Sequence, residues 1–131
     1  MPHSRGLELG LWLAQTLVAL SLLAGACMKL FMPIAGLAAM MPWMGQVPEC
    51  FMRGTGVIDL AGGLGIILPS LTRVRPGLTA AAAIGCALLM ACAVVFHVSR
   101  GEAMATPFNF LILVLSVFVL WGRWPRRPRS A

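Results

Sequence analysis

The sequence predicts an all-α membrane protein: a four-transmembrane-helix bundle with both termini cytoplasmic and a long outer loop between helices 1 and 2. Three observations support this. Of the 131 residues, 60% are hydrophobic and 11% are charged, whereas a soluble domain carries about 25% charged residues. The mean hydropathy is +0.90, which excludes a disordered chain. The sequence also contains four long stretches that are almost free of charged residues.

Each of these stretches is long enough for one membrane span. A helix needs about 20 apolar residues to cross a hydrocarbon core of about 30 Å. None of the stretches shows the alternation of a barrel strand. We therefore predict one domain over residues 1–131, with helices at roughly 8–30, 54–71, 76–98 and 106–124 and a basic tail at 123–131.

The spans differ in their few polar residues. The first is uncharged from Leu9 to Met28, the second contains the single charge Asp59, and the third contains His97. The fourth is uncharged and opens with Thr106-Pro107, which is typical of an N-cap followed by a first-turn proline.

The loop over residues 31–51 joins the first two spans and is almost uncharged. Its segment Ile34–Met41 is predicted to form a short interfacial helix anchored by Trp43. Six methionines lie in or beside the loop: Met28, Met32, Met40, Met41, Met44 and Met52. Thioether groups suit copper(I), but an adaptable apolar lid is the favoured interpretation. The sequence leaves open a disulfide between Cys27 and Cys50.

Basic residues give the expected orientation. Seven arginines fall on the side of the termini and three cations on the other, which places both termini in the cytoplasm. Nucleic-acid binding is the alternative interpretation of the tail WGRWPRRPRSA. Topology and lipid headgroup contacts explain the tail better, so we expect no nucleic-acid partner. The expected location is a bacterial inner membrane, with the endoplasmic reticulum as the alternative.

Three ionisable residues within the spans form the candidate site. Lys29, Asp59 and His97 come from three different helices and are predicted to lie at one depth, just inside the outer leaflet. Ionisable groups inside a membrane are costly unless they pair or line a site. A ligand- or partner-binding site and a purely structural ion pair are both open, and a proton pathway ranks below them. The residues match no metal-ligand pattern, and none is assigned a catalytic role.

Three further polar residues join the candidate site. Gln15 lies on the same helical stripe as Lys29, Asn109 lies on the polar edge of the fourth span, and Arg53 is an alternative partner for Asp59. In the expected roles, Lys29 contacts an anionic group, Asp59 holds Lys29 or Arg53 in place, and His97 exchanges a hydrogen bond with the ligand.

At these residues the sequence resembles the DoxX-like family of small four-helix membrane proteins. The resemblance is carried by LLAGACMKLF, RGTGVIDLAGGLGIILP and HVSRGE, and it extends roughly from Leu13 to Trp121. The family places a lysine, an acid and a histidine where Lys29, Asp59 and His97 stand. The acid is more often glutamate than the aspartate found here.

The resemblance implies a broad range of functions. Relatives include membrane subunits of quinone-linked thiol or thiosulfate oxidoreductase complexes, a chaperone for receptor assembly, and cargo receptors. We expect a binding or chaperone-like assembly module that engages a lipid, a small amphiphile or a partner helix. The alternative is an oxidoreductase subunit that uses a quinone and a soluble redox partner. An oligomer fits either interpretation, and neither makes the chain an enzyme by itself.

Overall fold

The computed structural model describes residues 3–75 and 77–125, and these form five α-helices. The helices are α1 (Arg5–Phe31), α2 (Ile34–Met40), α3 (Glu49–Thr72), α4 (Gly77–Ser99) and α5 (Thr106–Arg123). Short 3-10 turns occupy Pro42–Gly45 and Ala103–Ala105. Four helices are long and apolar enough to cross a membrane, and no strand occurs within the described ranges. The predicted all-α class is confirmed.

The observed bounds differ from the predicted ones mainly at the second span. Helix α3 begins at Glu49, five residues before the predicted start at 54, because Pro48 sets its N-terminus and Glu49 pairs with Arg53 one turn later. Helix α3 also continues through Pro69 to Thr72. Most of the predicted basic tail, residues 126–131, lies outside the described residues.

The four long helices pack in the cyclic order α1, α3, α4, α5. A shared core fills the space between them, and its members are Ala14, Val18, Ala19, Leu22, Ile66, Ala83, Cys86, Met90, Ile112 and Val119. Large apolar side chains such as Leu20 and Leu88 remain exposed on the outside, as expected of surfaces that face lipid.

Glycines allow α1 and α3 to approach closely. A Cβ added to Gly56 would lie 2.9 Å from Lys29 Cβ, and one added to Gly63 would lie 3.3 Å from the carbonyl oxygen of Ala19. Small residues at helix contacts have this effect in membrane proteins. The close approach brings the backbone of α3 against the turn of α1 that carries Lys29.

The segment between α1 and α3, residues 32–48, folds into a compact lid. Leu37 and Met44 of the lid are buried with Met52 of α3, and Met28, Met32 and Trp43 pack around them. The methionine-rich apolar lid thus forms at one end of the bundle, although Met40 and Met41 point outward. We call this the lid end. The opposite end, where α1 begins and α5 finishes, is the termini end.

All four cysteines lie within the described residues, and none forms a disulfide. Cys27, Cys50 and Cys92 are exposed, and Cys86 is buried in the core. The bridge between Cys27 and Cys50, which the sequence left open, is not formed in this structure.

Candidate functional site

Lys29 and Asp59 form an ion pair that joins α1 to α3 near the lid. The Lys29 Nζ donates to Asp59 Oδ2 over 2.7 Å. The Asp59 side chain is only 5% exposed, and that of Lys29 is 16% exposed. A charge at this depth needs an oppositely charged partner. Lys29 and Asp59 are partners for each other. The choice between Lys29 and Arg53 as the partner of Asp59 is therefore settled for Lys29.

Two neighbouring residues shape this pair. A Cβ on Gly25 would lie 3.3 Å from Asp59 Oδ2, so the missing side chain leaves room for the carboxylate. The Arg53 Nη1 donates to the carbonyl oxygens of Lys29 and Met32. The first carbonyl belongs to the last turn of α1 and the second to its C-cap residue, where no intrahelical donors are available. Arg53 thus fixes the helix end that carries Lys29.

His97 belongs to a separate group at the lid end. Its Nδ1 donates to Glu102 Oε2 over 2.9 Å, and its ring packs edge-on against Trp43 with centroids 5.4 Å apart. Arg100 bonds both Glu102 and Gln46 of the lid. His97 therefore connects α4 to the lid. Its hydrogen-bond partner is Glu102, and the described contacts do not join it to the Lys29–Asp59 pair.

We expect acid to loosen the lid. The hydrogen bond from His97, assisted by Arg100, lowers the pKa of Glu102 below its usual value of 4.5. A lowered carboxyl pKa contributes stability that is present above the usual value and is lost as the pH falls through the lowered one. Amide hydrogen-exchange protection of residues 42–47 should therefore fall when the pH drops below 4.5, while that of the centre of α1 stays constant.

The variant Glu102→Gln provides the control for this effect. It should show reduced lid protection already at pH 7 and little further change on acidification. Glu102 reaches the lid through His97 and Arg100, which contact Trp43 and Gln46. If the lid amides of Glu102→Gln are as well protected at pH 7 as those of the wild-type protein, the bonds of Glu102 do not hold the lid.

The other two candidate residues lie elsewhere. Gln15 is fully buried toward the termini end, where its Nε2 donates to the Ile66 carbonyl and to Ser70 Oγ. Asn109, in the first turn of α5, donates weakly to the carbonyl of Ala105, the residue before that helix. Gln15 shares the interior stripe of α1 with Lys29, but that stripe runs the length of the helix and the two residues lie nearly four turns apart.

A second polar network at the termini end was missed by the sequence reasoning. Arg123 Nε donates to Gln15 Oε1 and its Nη1 donates to Glu8 Oε1, both over 2.8 Å. Ser70 and Thr79 continue the network across α3 and α4. From the sequence alone, Arg123 contributes only to the charge asymmetry that predicts the topology. The available signal was the pair Glu8 and Gln15, two turns apart on the interior stripe of α1.

The described residues contain no group of three or more His, Cys, Asp or Glu side chains placed to hold a metal ion. Between α3 and α4 lies an apolar groove with a cavity volume of about 240 Å³. It is lined by Ile58, Ala61, Gly62, Ala82, Gly85, Cys86 and Leu89.

The fold and these contacts define a multi-pass integral membrane protein with a polar pair buried between two of its spans. The chain belongs to the DoxX-like family, whose model matches residues 13–119. The family resemblance noted in the sequence is thereby confirmed. The comparison with curated proteins found no match, and neither did the comparison with solved structures.

Proposed function

We propose that this protein is a binding and chaperone-like assembly module of the membrane. In this role, the Lys29–Asp59 pair receives the polar group of a lipid, a small amphiphile or a partner helix from the leaflet at the lid end. His97 and the lid border the same end of the bundle. We further propose a bacterial inner membrane as the location, with both termini in the cytoplasm.

One observation carries the proposal. An ammonium group has three hydrogen-bond donors, and within the described part of the chain Lys29 Nζ uses one, on Asp59. Its other two donors have no hydrogen-bond partner among the described residues, and its side chain is 16% exposed. Asp59 holds the ammonium in place and Arg53 holds the helix end beneath it. A positioned cation with free donors suits an anionic or carbonyl-bearing group.

The second candidate is a membrane subunit of a quinone-linked thiol or thiosulfate oxidoreductase complex. The apolar groove between α3 and α4 supports it, because an isoprenoid chain needs such a surface. Ile58 and Gly62 of the groove flank Asp59 in α3. A soluble or membrane partner would have to supply the electrons.

The test is native mass spectrometry of the protein purified in mild detergent. We expect a specific lipid, amphiphile or polypeptide to accompany the wild-type protein and to be depleted about tenfold or more, equivalent to 1.4 kcal/mol, in Asp59→Asn. The matched control is Glu8→Gln, which removes a partly exposed carboxylate at the opposite end of the bundle, away from the Lys29–Asp59 pair.

The outcomes separate the candidates. A quinone lost in Asp59→Asn but kept in Glu8→Gln would replace the binding module with the oxidoreductase subunit. Identical bound molecules in wild type and a folded Asp59→Asn would overturn both candidates and leave the pair a structural one. Equal depletion in both variants would also contradict a site at Lys29 and Asp59.

A further inference from the structure

The Arg123 guanidinium at the termini end has a donor that the fold does not use. Its Nε and Nη1 are bonded to Gln15 and Glu8. Its Nη2 is buried and has no hydrogen-bond partner among the residues the structure describes. Most of the side chain is enclosed, with 17% exposed. Leaving a buried donor of a charged group without a hydrogen bond costs free energy. A ligand that supplied an acceptor to this nitrogen would remove that cost.

The guanidinium is held in one orientation rather than left to extend into water. Its Cζ lies over the Trp12 ring, 5.3 Å from the ring centroid, as in a cation–π contact. Gln15, which accepts from Nε, is itself fixed by Ile66 and Ser70 of α3. Contacts with α1, one of which is fixed in turn by α3, therefore orient a group that is usually mobile at a helix end.

The edge formed by Nη1 and Nη2 matches the geometry of a phosphate. Arginine binds phosphate through two parallel N–H bonds from such an edge. Here Nη1 donates to Glu8, and Nη2 has no hydrogen-bond partner among the described residues. The Glu8 side chain is 40% exposed, which makes it the partner that can swing away. The Glu8 carboxylate thus occupies, at Arg123 Nη1, the position that an oxygen of an anionic ligand would take.

The surroundings indicate where that ligand comes from. Trp121 and Trp124 are exposed on either side of Arg123, and tryptophans at helix ends mark the headgroup level of a membrane. Arg5 lies one turn before Glu8 in α1, and Arg73 and Arg75 lie in the turn between α3 and α4. This positive end attracts anionic lipids.

We propose that Arg123 binds the phosphate of an anionic lipid headgroup in the leaflet at the termini end, and that Glu8 competes with that phosphate. This site is distinct from the Lys29–Asp59 pair at the lid end. It stands whether or not the function proposed above is correct.

The experiment titrates the detergent-purified protein with phosphatidylglycerol and, separately, phosphatidylcholine of the same chains, with bound lipid counted by native mass spectrometry. We expect Glu8→Gln to bind phosphatidylglycerol about threefold to tenfold more tightly than wild type. Arg123→Lys, which keeps the charge but loses the planar edge, should bind it at least about tenfold more weakly. Arg5→Lys, the same substitution at an exposed arginine of the same end, is the charge-matched control and should change the affinity less than about threefold.

Several results would overturn this assignment. These are unchanged or weaker binding in Glu8→Gln, wild-type affinity in Arg123→Lys, equal losses in Arg123→Lys and Arg5→Lys, or equal affinity for the two lipids. Displacement of phosphatidylglycerol by millimolar inorganic phosphate would point to free phosphate instead of a lipid. Circular dichroism checks folding, and Glu8→Gln tests the site even if Arg123→Lys fails to fold.

Discussion

Replacing Lys29 with methionine should destabilise the bundle by about 3 kcal/mol, because removing one partner of a buried ion pair leaves the other charge uncompensated. The remaining group is Asp59, whose side chain is 5% exposed and sits between two spans with no other cation bonded to it in the described structure. The measurement is equilibrium unfolding in mixed detergent micelles, followed by circular dichroism.

Replacing Asp59, the other member of the pair, should destabilise the bundle much less. Asp59→Asn leaves Lys29, whose longer and more exposed side chain can extend its ammonium toward the interface, so we expect a loss below about 1 kcal/mol. Because an apolar pair of similar volume often replaces a buried ion pair without loss, Lys29→Met combined with Asp59→Leu should regain most of the stability. Equal losses from Lys29→Met alone and from the double variant would contradict the ion-pair explanation.

Substituting alanine for Gly56 should cost about 1–3 kcal/mol, the usual penalty for overpacking. The added methyl group would lie 2.9 Å from Lys29 Cβ and 3.1 Å from Leu30 Cγ. A Cβ is fixed to its backbone and cannot rotate away, so α1 and α3 must separate. The unfolding experiment described for Lys29→Met measures the effect.

Gly54 provides the matched control in the same helix. A Cβ there meets nothing within 4 Å, and alanine is favoured over glycine in a helix by about 1 kcal/mol. Gly54→Ala should therefore be neutral or slightly stabilising. If the two alanine variants unfold alike, the close contact of α1 with α3 does not limit stability.

The sequence predicts the spans well because their signal is local. A run of about 20 apolar residues identifies a membrane helix without any knowledge of its neighbours. The ends are harder to predict, as α3 shows. The paired charges of Glu49 and Arg53 lie in the first two turns of that helix, so a search for a long uncharged run starts the helix only after Arg53.

The site is only partly predictable, because depth and helix face do not specify which side chains meet. Lys29 and Asp59 were expected at one level and they do pair. His97 was placed with them by depth alone, yet its partners are Trp43 and Glu102. Their positions depend on how the lid and the turn after α4 fold. Arg123 was missed because its partners lie more than 100 residues away in the sequence.

The two polar groups differ in when they are completed during synthesis. The Lys29–Asp59 contact and the lid between them lie within the first half of the chain, with the paired residues 30 positions apart. Proteins emerge from the ribosome N-terminus first, so the first hairpin can assemble in the membrane before α4 and α5 are made. The contacts of Arg123 with Gln15 and Glu8 span 108 and 115 positions. These contacts form only after α5, the last span, has been synthesised. Arg123 is therefore the residue that joins the last span to the first when the bundle is completed.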